Sequence, residues 1–266
     1  MHTLFVLGCI AVAMVAASAS AEVSLPRLLE NIDRFPSYIV RLFHLETGQP
    51  VWTDLAEWFW GLPRWLRLLG ETLLMAYVGT FLGAVGAFLL AFLAAANVAP
   101  SGWLRIAVRR FCELCRTVPM LVFALVFVIA FGLGPLGGVL AVVIHTFGAL
   151  GKLFAEAVEN IDMKPVEGVA STGARWHVAM RYGALPQVTS NFVSYALLRF
   201  EINVRESAVM GFVGAGGIGQ DLIEAIRKFY YSDVSAILLL ILVTVAIIDT
   251  VTSRVRHHLI GLEATT

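Results

Sequence analysis

The sequence predicts an all-α membrane protein with about six transmembrane helices. Of its 266 residues 59% are hydrophobic and only 14% charged, where soluble domains run at roughly 45–50% and about 25%. The apolar residues fall into long runs, the pattern of membrane spans. The 19 basic and 19 acidic residues cancel, so no basic face speaks for nucleic acid.

The first run, residues 4–21, is just long enough to span. "ASA", ending at Ala21, resembles a signal-peptidase site and "VLGC" a lipoprotein box, but only His2 precedes the run where basic residues would be needed. Residues 1–21 are therefore expected to be a retained, signal-anchor-like first helix. Residues 22–69 interleave charged and apolar positions. "LPRLLENIDRFPSYIVRLF" repeats at about helical spacing, and Trp52, Trp58, Trp60, Pro63 and Trp65 suit a periplasmic or interfacial amphipathic segment. A plain extramembrane helical hairpin is the equal alternative.

The core is expected from residue 70 to 266. Its first span, 72–96, carries Gly79, Gly83 and Gly86 at i, i+4 and i+7, a smooth face for close helix packing. The next loop holds Arg105, Arg109, Arg110 and Arg116 against Glu113, which places it in the cytoplasm, with Arg116 near Pro119 a boundary anchor. Cys112 and Cys115 form a C-x-x-C, but there are only three cysteines and no βαβ pattern, so they read as small helix residues one turn apart. Further spans are expected at 119–133, 137–154 and 188–213, and a last one in "VSAILLLILVTVAIIDTVTS". Arg254 and Arg256 follow it, Arg254 close enough to neutralise Asp249. With six spans, the basic residues at 105–116, 152–181 and 254–256 all fall on one side, and both termini lie inside.

Two segments invite functional readings. Gly214, Gly216 and Gly219 spell G-x-G-x-x-G, with Asp233 19 residues after Gly214. A dinucleotide site needs a strand before the motif and a βαβ unit around it, and here the motif sits between two membrane spans. Gly214, Gly216, Gly217 and Gly219 are instead expected to permit positive φ and close backbone approach at the mouth or gate of a pathway. The fifth span carries Arg199, Glu201, Arg205 and Glu206. Four central charges would cost on the order of 10 kcal/mol if uncompensated, so they must pair or face water. Glu201 and Arg205 are spaced for a helical ion pair, while Tyr195, Arg199, Asn203 and Glu206 share a stripe. Either an arginine faces the pathway, or the ions lock helices or permease copies together. His145 and Thr146 of the fourth span pose the same choice between pathway and packing.

The loop 155–186 is polar. Pro165 stands near a helix start and Gly173 near its end, which predicts a short helix outside the bilayer able to dock on a soluble partner. Glu167, Gly173, Leu185 and Pro186 resemble the E-A-A…G…I-x-L-P loop of importer-type ABC transporter permeases. Gly168 and Val169 replace the two alanines, Ala170 follows them, and Gly183 stands at the isoleucine position. "RTVPMLVFALVFVIAFGLGPLGGVLA", "HTFGALGKLFAEAVENID", "RYGALPQV" and "LRFEINVRESAVMGFVGAGGIG" are similar to phosphonate ABC transporter permeases. "RFEINVR" carries the phosphonate likeness. The glycine loop is shared more widely, as with methionine importers.

The resemblance implies a type I importer permease fold in the bacterial inner membrane, working as a transporter and not an enzyme. Pro165, Glu167, Gly168, Ala170, Gly173, Leu185 and Pro186 would form its coupling surface. It implies a second permease copy forming a homodimer, two ATP-binding cassette subunits and a periplasmic substrate-binding protein. No cofactor is expected in this chain. ATP and Mg would belong to the partner ATPase, since the chain has no G-x-x-x-x-G-K-[ST]. A stand-alone secondary transporter or channel for a small anion is the alternative. It predicts inverted repeats, which the sequence does not display, and leaves the coupling loop unexplained.

Overall fold

A computed structural model describes residues 2–20 and 29–263. The signal-peptidase-like site at Ala21 and the start of the interfacial segment lie outside the described residues. All regular elements among those described are helical. The first, α1 (His2–Ser20), is predominantly apolar and exposed over residues 2–17.

The interfacial segment folds as α2 (Arg34–Leu42), a 3₁₀ turn (Val51–Thr53) and the one-turn α3 (Leu55–Trp58). Asp54 caps α3, its carboxylate accepting from the backbone N–H groups of Ala56 and Glu57 at 3.0 Å each. The tryptophans tie this segment to the last helix. Trp58 Nε1 donates to Ser232 O and Ser235 Oγ, and Trp60 Nε1 donates to Asp233 Oδ1 at 2.9 Å.

Pro63 sits in the first turn of α4 (Leu62–Ala94), where its missing N–H costs nothing. At 33 residues, about 50 Å, α4 holds the whole span expected at 72–96 and reaches back into the interfacial segment. A turn at 95–101 leads to α5 (Gly102–Thr117), which carries the basic residues, and then to α6 (Met120–Phe131). Val118, held extended before Pro119, breaks the two apart, and they meet at 84°. The span expected at 119–133 is thus a helix of 12 residues. At about 18 Å it is too short for a hydrocarbon core of about 30 Å on its own.

Gly132 and Gly134 turn the chain into α7 (Pro135–Glu159). Then come α8 (Met163–Ser171), the single turn α9 (Trp176–Ala179) and a π turn (Met180–Ala184). The π turn runs into α10 (Leu185–Met210). Pro186 gives the physical reason for the π turn. It has no N–H for the i−4 bond and its ring crowds that carbonyl, so the helix widens and Leu185 N–H reaches back to Met180 O. A 3₁₀ turn (Gly211–Val213) and the glycine loop lead to α11 (Gly219–Lys228) and α12 (Tyr231–Glu263).

By length and composition α4, α7 and α12 can each cross a membrane, and the bent pair α5–α6 makes a fourth if taken as one span. The expected six differ from these for identifiable reasons. The apolar stretch of α1 is short, and α10 is long enough at 26 residues but carries the four charges.

The packing centre is α4 against α7. A Cβ on Gly79, Gly83 or Gly86 would lie 2.5 Å from Val142, 2.8 Å from Thr146 or 2.8 Å from Phe147, so the small-residue stripe is the contact itself. Gly148 and Gly151 of α7 receive Cys112 and Cys115 of α5 in the same way. Both cysteines are buried packing residues. Towards one end, Phe154 stacks on Phe192 at 4.2 Å within a cluster joining α4, α7, α8 and α10. At the other end, Trp65, Leu69, Ala208, Ile218, Leu222 and Ile237 knit α4, α10, α11 and α12. Many large apolar side chains stay exposed, such as Leu74, Phe81, Leu89, Ile129 and Leu242, as a lipid-facing surface requires.

Candidate translocation and coupling site

Three assemblies follow one another along the bundle, and the first is the expected coupling loop. α8 stands outside the main bundle and buries only Val166, leaving Pro165, Glu167, Gly168 and Ala170 exposed. Asp162 caps its N-terminus, accepting from Lys164 N–H at 3.0 Å. Gly173 closes the element at φ +81°, the left-handed geometry that favours glycine, its N–H donating to Ala170 O. Gln187 of α10 fixes α8 to the bundle, donating to Asp162 O and Gly183 O while accepting from Asp162 N–H.

Gly183, the departure from the importer loop, has a local cause. A Cβ there would stand 2.7 Å from Val166 Cα and 3.1 Å from Pro165 O, so α8 lies directly on the π turn. Leu185 is half-buried against the same cluster, and Pro186 is exposed. Nearby, Glu159 bridges Arg109 and Ala96 N–H, Asn97 Nδ2 donates to Val158 O, and Trp176 Nε1 donates to Val98 O. These bonds tie the turn after α4 to the end of α7, to α5 and to α9, and Asn97 also reaches Met163 Sδ at the start of α8 at 3.5 Å.

The second assembly lies mid-bundle on α10, whose two faces carry different chemistry. Asn203 is fully buried and donates to Thr80 Oγ1 at 2.7 Å and Thr146 Oγ1 at 2.8 Å, linking α4, α7 and α10. One turn away Arg199 meets His145 Nδ1 of α7 and lies 3.4 Å from Glu206. Tyr195 shares the stripe but packs into the apolar cluster around Phe192. Arg199 Nε, Asn203 Oδ1 and Ser207 Oγ are buried without a protein partner. On the opposite side of α10, Glu201 pairs with Arg205, and Arg205 comes within 3.8 Å of Asp249 on α12. Asp249 was expected beside Arg254; its ion-pair partner is Arg205, because α10 packs along that face of α12.

The third assembly is the glycine loop. Gly214, Gly216 and Gly217 take φ of +81°, +84° and +78°. A helix precedes the loop, so the strand of a dinucleotide fold is missing there. The loop is buried between helices. Ile218 N–H donates to Thr72 Oγ1 of α4 at 2.9 Å, and Gly134 N–H donates to Gly214 O at 3.0 Å. Gly219 opens α11 in close contact with Gly211 and the Ala208 carbonyl.

Sequence reasoning missed Thr72, Thr80, Gln187, Ser207 and the Arg109–Glu159 pair. Thr72 and Thr80 stand in an apolar run, where an isolated hydroxyl usually satisfies itself on the preceding turn, and both also do so. Only the neighbouring helices reveal their second partners.

Comparison with known proteins places the chain. The family described as binding-protein-dependent transport system inner membrane component matches residues 87–260. The phosphite transport system permease protein PtxC of Stutzerimonas stutzeri is 42% identical over 200 residues, covering 75% of this chain and 73% of that one. The putative cryptic phosphonate transport system permease protein PhnE2 of Escherichia coli is 51% identical over 121 residues, 46% of this chain and 99% of that one. The phosphate-import permease protein PhnE of Mycolicibacterium smegmatis is 42% identical over 190 residues, 71% of this chain but only 36% of its own length. Among solved structures, the inward-facing MetNI methionine ABC transporter matches with TM-score 0.65 at 22% identity, over 73% of this chain and 95% of that one. The fold is therefore that of an ABC importer permease, and the chain belongs to the family of binding-protein-dependent transport system inner membrane components.

Proposed function

We propose that this chain is the permease subunit of an ATP-driven importer of phosphorus oxyanions, phosphite or a phosphonate, in the bacterial inner membrane. The observation that carries the reading is α8. It is a short helix held firmly from behind by Gln187, Val166 and Gly183, with Glu167, Gly168 and Ala170 turned outward. A helix anchored on one face and bare on the other is built to fit a groove on a partner. The names of relatives at 36–51% identity support the cargo.

In this reading two copies of the chain form the route. Two ATP-binding cassette subunits bind ATP and Mg and grip α8, and a periplasmic binding protein delivers cargo to the opposite face. ATPase closure pushes α8; the bonds from Gln187 carry that displacement into α10, and Asn97, which reaches both Met163 of α8 and Val158 of α7, carries it into α7 and the turn after α4. The bundles then rock as rigid bodies between inward-open and outward-open states. The glycine loop, seated between α4 and the α6–α7 turn, serves as the outer gate. Residues 1–21 anchor the chain and 22–69 lie on the outer membrane surface.

The test is co-expression with a cognate ATPase and binding protein, followed by ATPase measurement on the purified complex with phosphite and methylphosphonate. Stimulation by one of them, dependent on the binding protein, is the expected result. A chain that recruits no ATPase and still moves solute would return the stand-alone transporter.

A further inference from the structure

Two groups of charge lie inside the bundle, and they differ in what surrounds them. In the Arg199 group the cation itself is covered: the Arg199 side chain is 11% exposed, Asn203 is fully buried and His145 and Thr146 of α7 lie against them, while the acid Glu206 at its edge is 41% exposed. The Arg205 group opens outward. Arg205 and Asp249 leave 48% and 56% of their side chains exposed, while Glu201 beneath them is 9% exposed.

Asp249 lies 16 residues past Asp233 and five before Arg254. Along α12 it is therefore about 24 Å from the outer end and about 8 Å from the inner one, within hydrocarbon depth. Half-exposed charges at that depth face water or protein, not acyl chains. The residues around them agree. Ser253 and Arg256 continue the Asp249 stripe at i+4 and i+7, and Arg256 donates to Ser253 Oγ at 3.3 Å. On α10 the Arg205 stripe runs towards the same end through Glu201, the exposed Leu198 and the buried Ser194 to the exposed Asn191. Leu239, Val243, Ile247 and Val251, all exposed, form a separate apolar stripe on α12. One side of α12 thus suits lipid; the side bearing Asp249 is apolar above it, with Leu242 65% exposed, and from Asp249 to Arg256 it borders a polar lane shared with α10.

We propose that Arg205 is the cation that a translocated oxyanion meets, on this polar lane, and that Arg199 is a sealed structural residue. The proposal rests on the oxyanion-importer reading. A guanidinium offers five N–H donors in a planar fork. Glu201 takes part of that fork, and Asp249 at 3.8 Å holds the rest loosely. An arriving oxyanion replaces Asp249 on the free donors. The two carboxylates close by oppose the added negative charge, which keeps the encounter brief and permits release.

The test uses the assembled permease–ATPase complex in proteoliposomes, with Cys9→Ser as background because Cys112 and Cys115 are buried. Arg205→Cys, Asp249→Cys and Arg199→Cys are treated with 2-aminoethyl or 2-sulfonatoethyl methanethiosulfonate. Labelling at 205 and 249 but not at 199 is expected. Binding-protein-dependent phosphite uptake by Arg205→Cys should fall roughly tenfold or more, the worth of one charge-assisted contact. The aminoethyl reagent should restore it and the sulfonatoethyl reagent should not.

Positions 205 and 249 inert in the complex and reactive only after it is dissociated would overturn the proposal, making the pair an interface between copies. Equal uptake after either reagent would overturn it too. If Arg205→Cys does not assemble, labelling of Asp249→Cys decides the lane. If the unmodified complex moves neither phosphite nor methylphosphonate, the cargo assignment falls, while the labelling pattern still decides whether the lane holds water.

Discussion

Asn203 is the residue on which the middle of the bundle turns. Its amide joins the hydroxyls of Thr80 and Thr146, so one side chain from α10 holds α4 and α7 together where few polar contacts are available. Replacing Asn203 with Leu removes the amide from both hydroxyls, leaving Thr80 only its bond to Ala76 O, and forces extra volume into a filled site. We expect it to cost ~2–3 kcal/mol, read as a lower midpoint in detergent-solubilised thermal unfolding; an unchanged midpoint would show that the amide bonds carry no net stability. Gly183 makes a sharper prediction because its obstacle is backbone. Gly183→Ala should push α8 off the π turn and lower coupled ATPase activity, with an overpacking cost of ~1–3 kcal/mol and with the chain still inserted. Glu167, exposed on α8, tests docking without touching the fold. Glu167→Lys should abolish recruitment of the ATPase in pull-downs and leave the permease as stable as before.

Among the elements, the α4–α7 pair and the α8–π-turn unit use opposite devices. The first gains stability from backbones brought together by Gly79, Gly83 and Gly86, where dispersion replaces a hydrophobic drive that lipid does not provide. Gly83→Leu should therefore separate α4 from α7 and disrupt the Asn203 link beside it, giving protein that is inserted but degraded faster than the parent in a pulse-chase measurement. The second depends on proline. Pro186→Ala removes the steric reason for the π turn, so the segment 176–210 should relax toward a continuous α-helix. That shift rotates α8 relative to α10. The expected outcome is normal membrane content and altered ATPase coupling. Unchanged coupling would mean that the π turn is incidental.

For the whole molecule, the arrangement of charge sets the orientation. By the positive-inside rule we propose that Arg105 to Arg116 on α5 and Arg254 to Arg256 on α12 lie on the cytoplasmic side, with the exposed Trp52 and Trp60, on the segment packed against the other end of α12, outside. Impermeant thiol labelling of intact cells should reach a cysteine at position 46 or 52, and should reach one at 105 or 254 only after permeabilisation. The reverse pattern would invert the topology and move α8 away from any cytoplasmic ATPase.

Composition and the length of its apolar runs determined the helical membrane class, the positions of α4, α7 and α12, the helix at 163–171 and the exclusion of a dinucleotide site. Each of those follows from local chemistry: hydropathy against a fixed bilayer thickness, a proline and a glycine bracketing a short helix, and the lack of room for a strand. The spacing of Arg199, Glu201, Arg205 and Glu206 announced compensated charge but left its partners open, because a single helix cannot tell which neighbours its two faces meet. Only the tertiary structure separated a sealed face, where Arg199 finds His145 from α7, from an open face, where Arg205 finds Asp249 from α12. The same limit hid the second partners of Thr72 and Thr80, and the division of the expected third span into a short helix bent 84° from its neighbour. Partner choice depends on which backbones lie side by side, and packing between distant segments decides that.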